Sequence, residues 1–154
     1  MENKTNKLSC LTVKNETPQS AEVYIHGDIV DDDMKAWLSE CDGKTFAGYV
    51  LPVDVREKLE SLHGKDLTIY INSDGGSVPA GMAIANMIKR HNGHTIGVVD
   101  GWAASIASVI FMACDELYMP KNTFLMIHKP SAMAILPTSV ATSLTISALG
   151  FVPV

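Results

Sequence analysis

The segment Gly101–Ala113 (GWAASIASVIFMA) contains Ser105, the residue whose type and surroundings best suit nucleophilic chemistry. An apolar, β-branched run over His94–Val99 precedes it and predicts a buried strand, so we expect Asp100 and Gly101 to form a strand-to-helix turn. Alanines at positions 103, 104 and 107 leave room for a sharp bend that exposes the serine hydroxyl, as in a nucleophile elbow. The unpaired N–H groups at the start of a helix suit a developing oxyanion. A helix cap or a close-packing position is the structural alternative for this serine.

A second candidate is the run Asn72-Ser73-Asp74-Gly75-Gly76-Ser77, which lies between a predicted strand, Asp66–Ile71, and a predicted helix, Val78–His91. Two consecutive glycines allow the backbone to come close to a bound group. The glycine spacing matches neither of the common phosphate-binding loops. A turn closed by an Asx-type hydrogen bond is the structural alternative.

His128 is the candidate general base, because it directly follows the predicted strand Thr123–Ile127 and precedes Pro130. A polar residue at a strand edge is the alternative. Two further histidines, His91 and His94, flank Gly93. The glycine breaks the helical spacing that would place both rings on one face, and no neighbouring carboxylate or thiolate completes a ligand shell. The sequence therefore predicts no metal site.

The remaining elements predict one α/β domain of 154 residues. Residues 1–20 form a polar arm or a first edge strand, Ala21–Gly27 alternates as a strand, and Val53–His63 has the pattern of an amphipathic helix. The acidic run Asp31–Asp33 is expected to cap a helix that contains Met34, Trp37 and Leu38; a calcium loop is the alternative, but its ligand spacing is absent.

Composition excludes several classes of function. The net charge is -5 and the twelve Lys and Arg are scattered, which argues against nucleic-acid binding. The polar N-terminus lacks an apolar signal segment, so a cytoplasmic protein is expected. Three widely spaced cysteines indicate reduced thiols rather than a disulfide framework or a zinc knuckle, and Cys114 is expected to be packed.

Three segments in this order, INSDGGSVPAGMAI, DGWAASIASVIFMA and FLMIHKP, resemble the Clp protease proteolytic subunit family, and most closely the Clp-like head maturation proteases of phages and prophages. The resemblance runs from about Leu67 to Met133, and more loosely back to Ala21. It implies a spiral of strand-turn-helix units shared with the crotonases, truncated at the C-terminus, with residues 21–130 as the catalytic core. Both glycine-rich and serine-bearing turns would then lie at the ends of adjacent parallel strands.

The resemblance also implies the roles of individual residues. Ser105 would be the nucleophile of an ATP-independent serine endopeptidase and His128 its general base, with no cofactor. The backbone N–H groups of Gly76 and Ile106 would form the oxyanion hole, and the strip Gly75–Val78 would pair with an extended substrate chain. Implied partners are a polypeptide substrate, such as a phage capsid or scaffold protein, and further copies of the chain in a ring.

The segment 131–154 departs from the family. The family supplies its third triad residue, an aspartate, well after the histidine, whereas this chain has no Asp or Glu after Glu116 and no charge at all beyond Ser131. Asp74, Asp100 and Asp115 are the substitutes that the sequence offers. A membrane span is a poor explanation of this tail because it contains prolines and seven Ser or Thr residues. The third triad acid therefore stays unknown, and an inactive enzyme is one expectation.

Three alternative functions stay open at this point. The chain could be a non-catalytic subunit or remnant that binds partners through the same surface. A crotonase-like acyl-CoA enzyme would use two backbone donors in the same fold without needing Ser105 and His128 together. A Ser-Lys peptidase would have to recruit Lys121 or Lys129, although the segment around the serine resembles the Clp type.

Overall fold

The computed structural model describes residues 10–34 and 48–129, which contain eight strands and three helices. The strands are β1 (Leu11–Lys14), β2 (Ser20–His26), β3 (Asp28–Ile29), β4 (Tyr49–Val50), β5 (Asp66–Ser73), β6 (Thr95–Ala104), β7 (Glu116–Tyr118) and β8 (Phe124–Met126). The helices are α1 (Pro52–Ser61), α2 (Val78–Lys89) and α3 (Ile106–Phe111). Three predicted features lie outside the described residues: the start of the N-terminal arm, the helix containing Trp37 and Leu38, and the tail 131–154.

The main sheet has the strand order β1-β2-β5-β6-β7, and β8 pairs with β6 beyond the end of β7. Only β1 is antiparallel to its neighbour; β2, β5, β6, β7 and β8 run parallel. Parallel neighbours require crossover connections, which α1, α2 and α3 help to provide. The C-terminal ends of β5 and β6 therefore meet at one edge of the sheet, as the resemblance implied.

One face of the sheet packs on the helices and forms the core. Alternate residues of the central strands are buried there, among them Val23, Ile25, Leu67, Ile69 and Ile71. Ile84 and Ile88 of α2 and Ile110 of α3 meet them from the helical layer. This alternation arises because successive side chains of a strand point to opposite faces. Cys114 is buried in the same core, as expected. Its burial, and to a smaller extent the negative charge of Asp115, raise the pKa of its thiol to about 12.

The turn predicted at Asp100 and Gly101 is wrong, because β6 continues through both residues to Ala104. The last residues of β6 pair with β8 on one side, where Ala104 lies opposite Met126. On the other side they pair with β5, where Ala103 lies opposite Ser73. These partners lie far away in the sequence, and pairing with them overrides the local preference of glycine for a turn. The bend comes instead at Ser105. In the part of the chain described, no helix has the length and apolar character needed to span a bilayer.

The acidic run Asp31–Asp33 makes contacts that local patterning did not indicate. Asp32 Oδ1 accepts a hydrogen bond from the Val53 N–H at 2.9 Å, in the first turn of α1, where the N-cap residue Leu51 offers no side-chain acceptor. Asp31 Oδ1 accepts a hydrogen bond from the Ser77 hydroxyl at 2.8 Å. Asp32 therefore caps a helix about twenty residues further along the chain.

Replacement of Asp32 by alanine should destabilise the protein by about 1 kcal/mol, the usual cost of losing a side-chain acceptor at a helix N-terminus. Chemical denaturation monitored by circular dichroism measures the change. Asp33→Ala is the matched control, since the Asp33 carboxylate makes no hydrogen bond within residues 10–34 and 48–129. Equal stability of the two variants would contradict the capping role.

Candidate active site

Ser105 lies at the bend between β6 and α3, and its backbone has an unusual conformation. Its φ is 53° and its ψ is −126°, which places a non-glycine residue at positive φ. Strain of this kind costs on the order of 1–3 kcal/mol and persists only when neighbouring contacts hold it. Here the Ser105 N–H donates to the Met126 carbonyl at 2.8 Å, and the Ser108 N–H and hydroxyl donate to the Ser105 carbonyl at 3.0 and 2.6 Å. The bend is thus tied to both β8 and α3.

The His128 ring lies next to this serine. Its Nε2 is 2.8 Å from Ser105 Oγ, a hydrogen-bond distance. The contact follows from the sheet, because β8 pairs with the last residues of β6 and His128 comes two residues after the end of β8. A neutral imidazole that carries its proton on Nδ1 accepts the serine proton at Nε2. A histidine at this distance can act as a general base toward a serine hydroxyl.

Ile29 of β3 binds the glycine-rich strip from one side. Its N–H donates to the Gly75 carbonyl at 2.7 Å, and its carbonyl accepts from the Ser77 N–H at 2.8 Å. In a strand-like strip the N–H and C=O groups of the residue between these two point to the opposite side. The Gly76 N–H therefore faces away from Ile29 and has no hydrogen-bond partner among the residues described. Sequence patterns did not reveal Ile29, because the bridge spans 47 positions.

Gly75 packs directly against the serine bend. Its φ is +98°, and a Cβ placed on it would lie 2.7 Å from the Ala104 carbonyl oxygen, 2.8 Å from Ser105 Cβ and 3.1 Å from the Ile106 nitrogen. Only glycine fits both the conformation and the space. The two candidate segments of the sequence are thus in contact, with Gly75 against both Ser105 and Ile106.

Ile106 is the first residue of α3, so no carbonyl one turn earlier can accept its N–H. Its side chain is buried against Gly81 of α2, where any side chain in place of the glycine hydrogen would overlap it. The apolar side chain thus holds the start of α3 in place, while the backbone N–H has no acceptor in the described part of the chain. Ile106 can act as a donor through its backbone alone.

The strip also connects to α2. Ser77 is the N-cap of this helix and accepts from the Ala80 N–H at 3.3 Å, while its hydroxyl donates to Asp31. The turn at the start of the strip is closed by Ser73, whose Oγ accepts a hydrogen bond from the Gly75 N–H at 3.1 Å. A serine therefore closes this turn, and not an Asx-type hydrogen bond from Asn72. Val78, the first residue of α2, is 40% exposed.

The three aspartates considered as substitute acids make no hydrogen bond to His128. Asp115 lies at the opposite end of β6, where the N–H and hydroxyl of Thr95 both donate to it at 2.8 Å and lower the pKa of its carboxyl group. Asp100 Oδ2 is 3.2 Å from His26 Nε2. Asp74 is exposed in the loop after β5. Within residues 10–34 and 48–129, the only side chain hydrogen-bonded to His128 is Ser105.

The sequence model of the Clp protease family matches residues 57–148 of this chain, a range that includes the glycine strip, Ser105, His128 and most of the uncharged tail. The ATP-dependent Clp protease proteolytic subunit of Ligilactobacillus salivarius is 43% identical over 110 residues, which is 70% of this chain and 49% of that protein. Subunit 3 of Streptomyces avermitilis is 31% identical over 129 residues, 78% of this chain and 58% of that protein. The chain thus spans about half the length of these curated relatives.

Solved structures show the same likeness. A point mutant of ClpP1 from Listeria monocytogenes superimposes with a TM-score of 0.54 at 27% identity, over 74% of this chain and 58% of that one. Unmodified ClpP1 from the same organism gives a TM-score of 0.51 at 29% identity, over 68% and 55% of the two chains. The mixed α/β architecture predicted from the sequence is therefore confirmed.

Proposed function

Because the chain belongs to the Clp protease family, we propose that its described part carries a serine endopeptidase site with Ser105 as nucleophile and His128 as general base. The observation that carries the proposal is the 2.8 Å hydrogen bond between Ser105 Oγ and His128 Nε2 at a strained bend. The family relationship implies a peptidase, and the geometry of this pair favours the serine type.

The proposed reaction is acyl transfer. His128 Nε2 takes the hydroxyl proton as Ser105 Oγ attacks the carbonyl carbon of a peptide bond, and the negative charge forms on the carbonyl oxygen. The N–H groups of Gly76 and Ile106 donate to this oxygen. The imidazolium then returns the proton to the leaving amine, and an acyl-enzyme remains. Water hydrolyses the ester by the same proton route and restores the serine.

Substrate recognition would use the strip Gly75–Val78. Since the Gly75 carbonyl and the Ser77 N–H already bind Ile29, an extended peptide would pair with the groups that face the other way, on Gly76 and Val78. Main-chain pairing is independent of side-chain identity, so the strip would bind many sequences. A polypeptide substrate is the class that this arrangement favours.

The biological setting is also a proposal. The relatives described above are named as ATP-dependent proteolytic subunits, which favours a Clp-type subunit that acts in a homo-oligomeric ring in the bacterial cytoplasm. The ATP-independent capsid-maturation role and its phage partners stay a prediction from the three segments quoted above. Cleavage of a phage scaffold protein by the isolated chain, without an ATPase, would support that narrower role.

A non-catalytic subunit is the second candidate function, and one observation favours it. No carboxylate hydrogen-bonds to His128 within the described ranges. A serine triad that lacks its acid loses about 10⁴-fold in turnover, because the imidazole is no longer held in the right tautomer. Such a chain would keep the substrate strip and the oxyanion donors and would bind peptides without cleaving them at a useful rate.

Intact-mass analysis after treatment with a fluorophosphonate probe tests the proposed function. We expect one probe adduct per chain, located at Ser105 by peptide mapping. A folded sample that stays unlabelled at high probe concentration and over long times would refute the peptidase and favour the binding subunit. Circular dichroism of the same sample establishes that it is folded.

A further inference from the structure

The pairing between β5 and β6 is irregular just before the serine. Five residues of each strand pair in sequence, from Leu67 opposite Thr95 to Ile71 opposite Val99. The next pair is Ser73 opposite Ala103. One residue of β5, Asn72, therefore faces three residues of β6, which form a bulge over positions 100–102. Bulges leave backbone groups unpaired and redirect the strand that follows.

The Asn72 side chain provides an acceptor for this bulge. The Asn72 carbonyl is already used on the other side of the strand, where it accepts from the Gly27 N–H at 2.9 Å. Its side-chain Oδ1 accepts from the Trp102 N–H at 3.2 Å and so replaces the missing main-chain acceptor. Gly101 makes room for the amide, because a Cβ on this glycine would lie 2.8 Å from Asn72 Oδ1.

The last residue of the bulge and the two residues after it are connected to both Ser105 and His128. Trp102, Ala103 and Ala104 pair with the three residues of β8, which leads to His128. The same three residues lead directly to Ser105. The position of the bulge thus sets the position of the nucleophile and of the strand that holds its base.

We propose that Asn72 is a positioning residue for the Ser105–His128 pair, acting through its side-chain hydrogen bond to the Trp102 N–H. This inference rests on the proposed function, because it assigns a role within the same site. Asn72 touches neither reacting atom, so its effect is on the geometry of the pair. Misplacement by about 1 Å can lower a catalysed rate by about 100-fold.

The test compares Asn72→Leu, Asn72→Asp and Gly101→Ala with the parent chain. Leucine removes the acceptor and keeps the branched arrangement of the side-chain heavy atoms, whereas aspartate keeps an oxygen in place. Gly101→Ala acts from the neighbouring strand β6. Its methyl group displaces the Asn72 amide but leaves the Asn72 side chain chemically unchanged. We expect the maximal rate of fluorophosphonate labelling to fall about 10- to 100-fold in Asn72→Leu and Gly101→Ala, and to be largely kept in Asn72→Asp. Asn86→Leu, on the exposed face of α2, is the control.

A second readout does not depend on reactivity. The NMR signals of the His128 ring report its contact with the serine hydroxyl, and Ser105→Ala supplies the spectrum of the ring without that partner. Asn72→Leu and Gly101→Ala should move the ring signals toward this reference, and Asn72→Asp should not. The inference would be overturned if Asn72→Leu kept the labelling rate and the ring signals of the parent chain. It would also be overturned if Asn72→Asp lost as much labelling rate as Asn72→Leu. An unlabelled parent chain refutes the proposed function, whereas the ring signals still decide the role of Asn72.

Discussion

Replacement of Ser105 by alanine should abolish fluorophosphonate labelling, and replacement of His128 by alanine should slow it by about 100-fold or more. The first variant lacks the oxygen that attacks phosphorus. The second keeps the oxygen but loses the acceptor 2.8 Å away, so the hydroxyl must react without transferring its proton to a base. Intact mass as a function of time, over a series of probe concentrations, measures both effects.

The expected ratio depends on the state of the catalytic acid. In a complete serine triad, loss of the nucleophile or the base costs on the order of 10⁶-fold in turnover, and loss of the acid alone about 10⁴-fold. If the parent chain already lacks its acid, only about 100-fold separates it from His128→Ala. A much larger ratio would indicate that a carboxylate outside the described residues, or from another copy of the chain, contacts the imidazole.

Ser61→Ala is the control for these two variants. Ser61 is exposed at the end of α1, and its hydroxyl donates to the Lys58 carbonyl of the same helix at 2.7 Å. Its labelling should equal that of the parent chain. Labelling that survives in Ser105→Ala, or that falls equally in Ser61→Ala, would contradict the assignment of the nucleophile.

Gly75→Ala should inactivate the site and also destabilise the fold. The new methyl group would press on Ser105 Cβ and the Ile106 nitrogen at a residue whose φ of +98° is unfavourable for alanine. Backbone strain of about 1–3 kcal/mol adds to overpacking of similar size. We expect a loss of about 2–4 kcal/mol in the free energy of unfolding. Labelling of Ser105 should fall by about 100-fold or more under conditions where the variant is folded.

Gly64→Ala is a matched control for the strain. Gly64 also has a positive φ, +78°, but a Cβ there would meet no atom within 4 Å. This variant should lose only the strain component of the stability, about 1 kcal/mol, and should label at the parent rate. Denaturant titration and labelling time courses on both variants separate the two effects. Normal labelling of folded Gly75→Ala would show that the contact between the strip and the serine bend is not needed for reactivity.

The sequence located the order and the type of most elements of the described part. Alternation of buried residues in β2 and β5 and the helical period of α1 and α2 are local properties, and the predicted bounds differ from the observed ones by a few residues. The glycines at positions 75 and 76 also indicated a backbone conformation that other residues adopt poorly. Both glycines have a positive φ in the structure.

Contacts between distant segments were not readable in this way. Ile29 binds the glycine strip, Asp32 caps α1, and Asn72 supports the bulge of β6. The partner of each residue belongs to a distant segment, and the contact exists only because the fold brings the two segments close. The turn predicted at Asp100 was wrong for the same reason. Pairing with β8 extends β6 past the residues where the local sequence favours the end of the strand.

The sequence alone therefore determined which residues have suitable chemistry: a serine among small residues, a histidine at a strand end and two adjacent glycines. The tertiary structure decided that these residues meet, with Ser105 and His128 at hydrogen-bonding distance and Gly75 against the bend. The physical reason is that reactive groups are set by side-chain type, which a sequence states directly. Their separation depends on strand register, and register depends on the packing and pairing of the whole sheet.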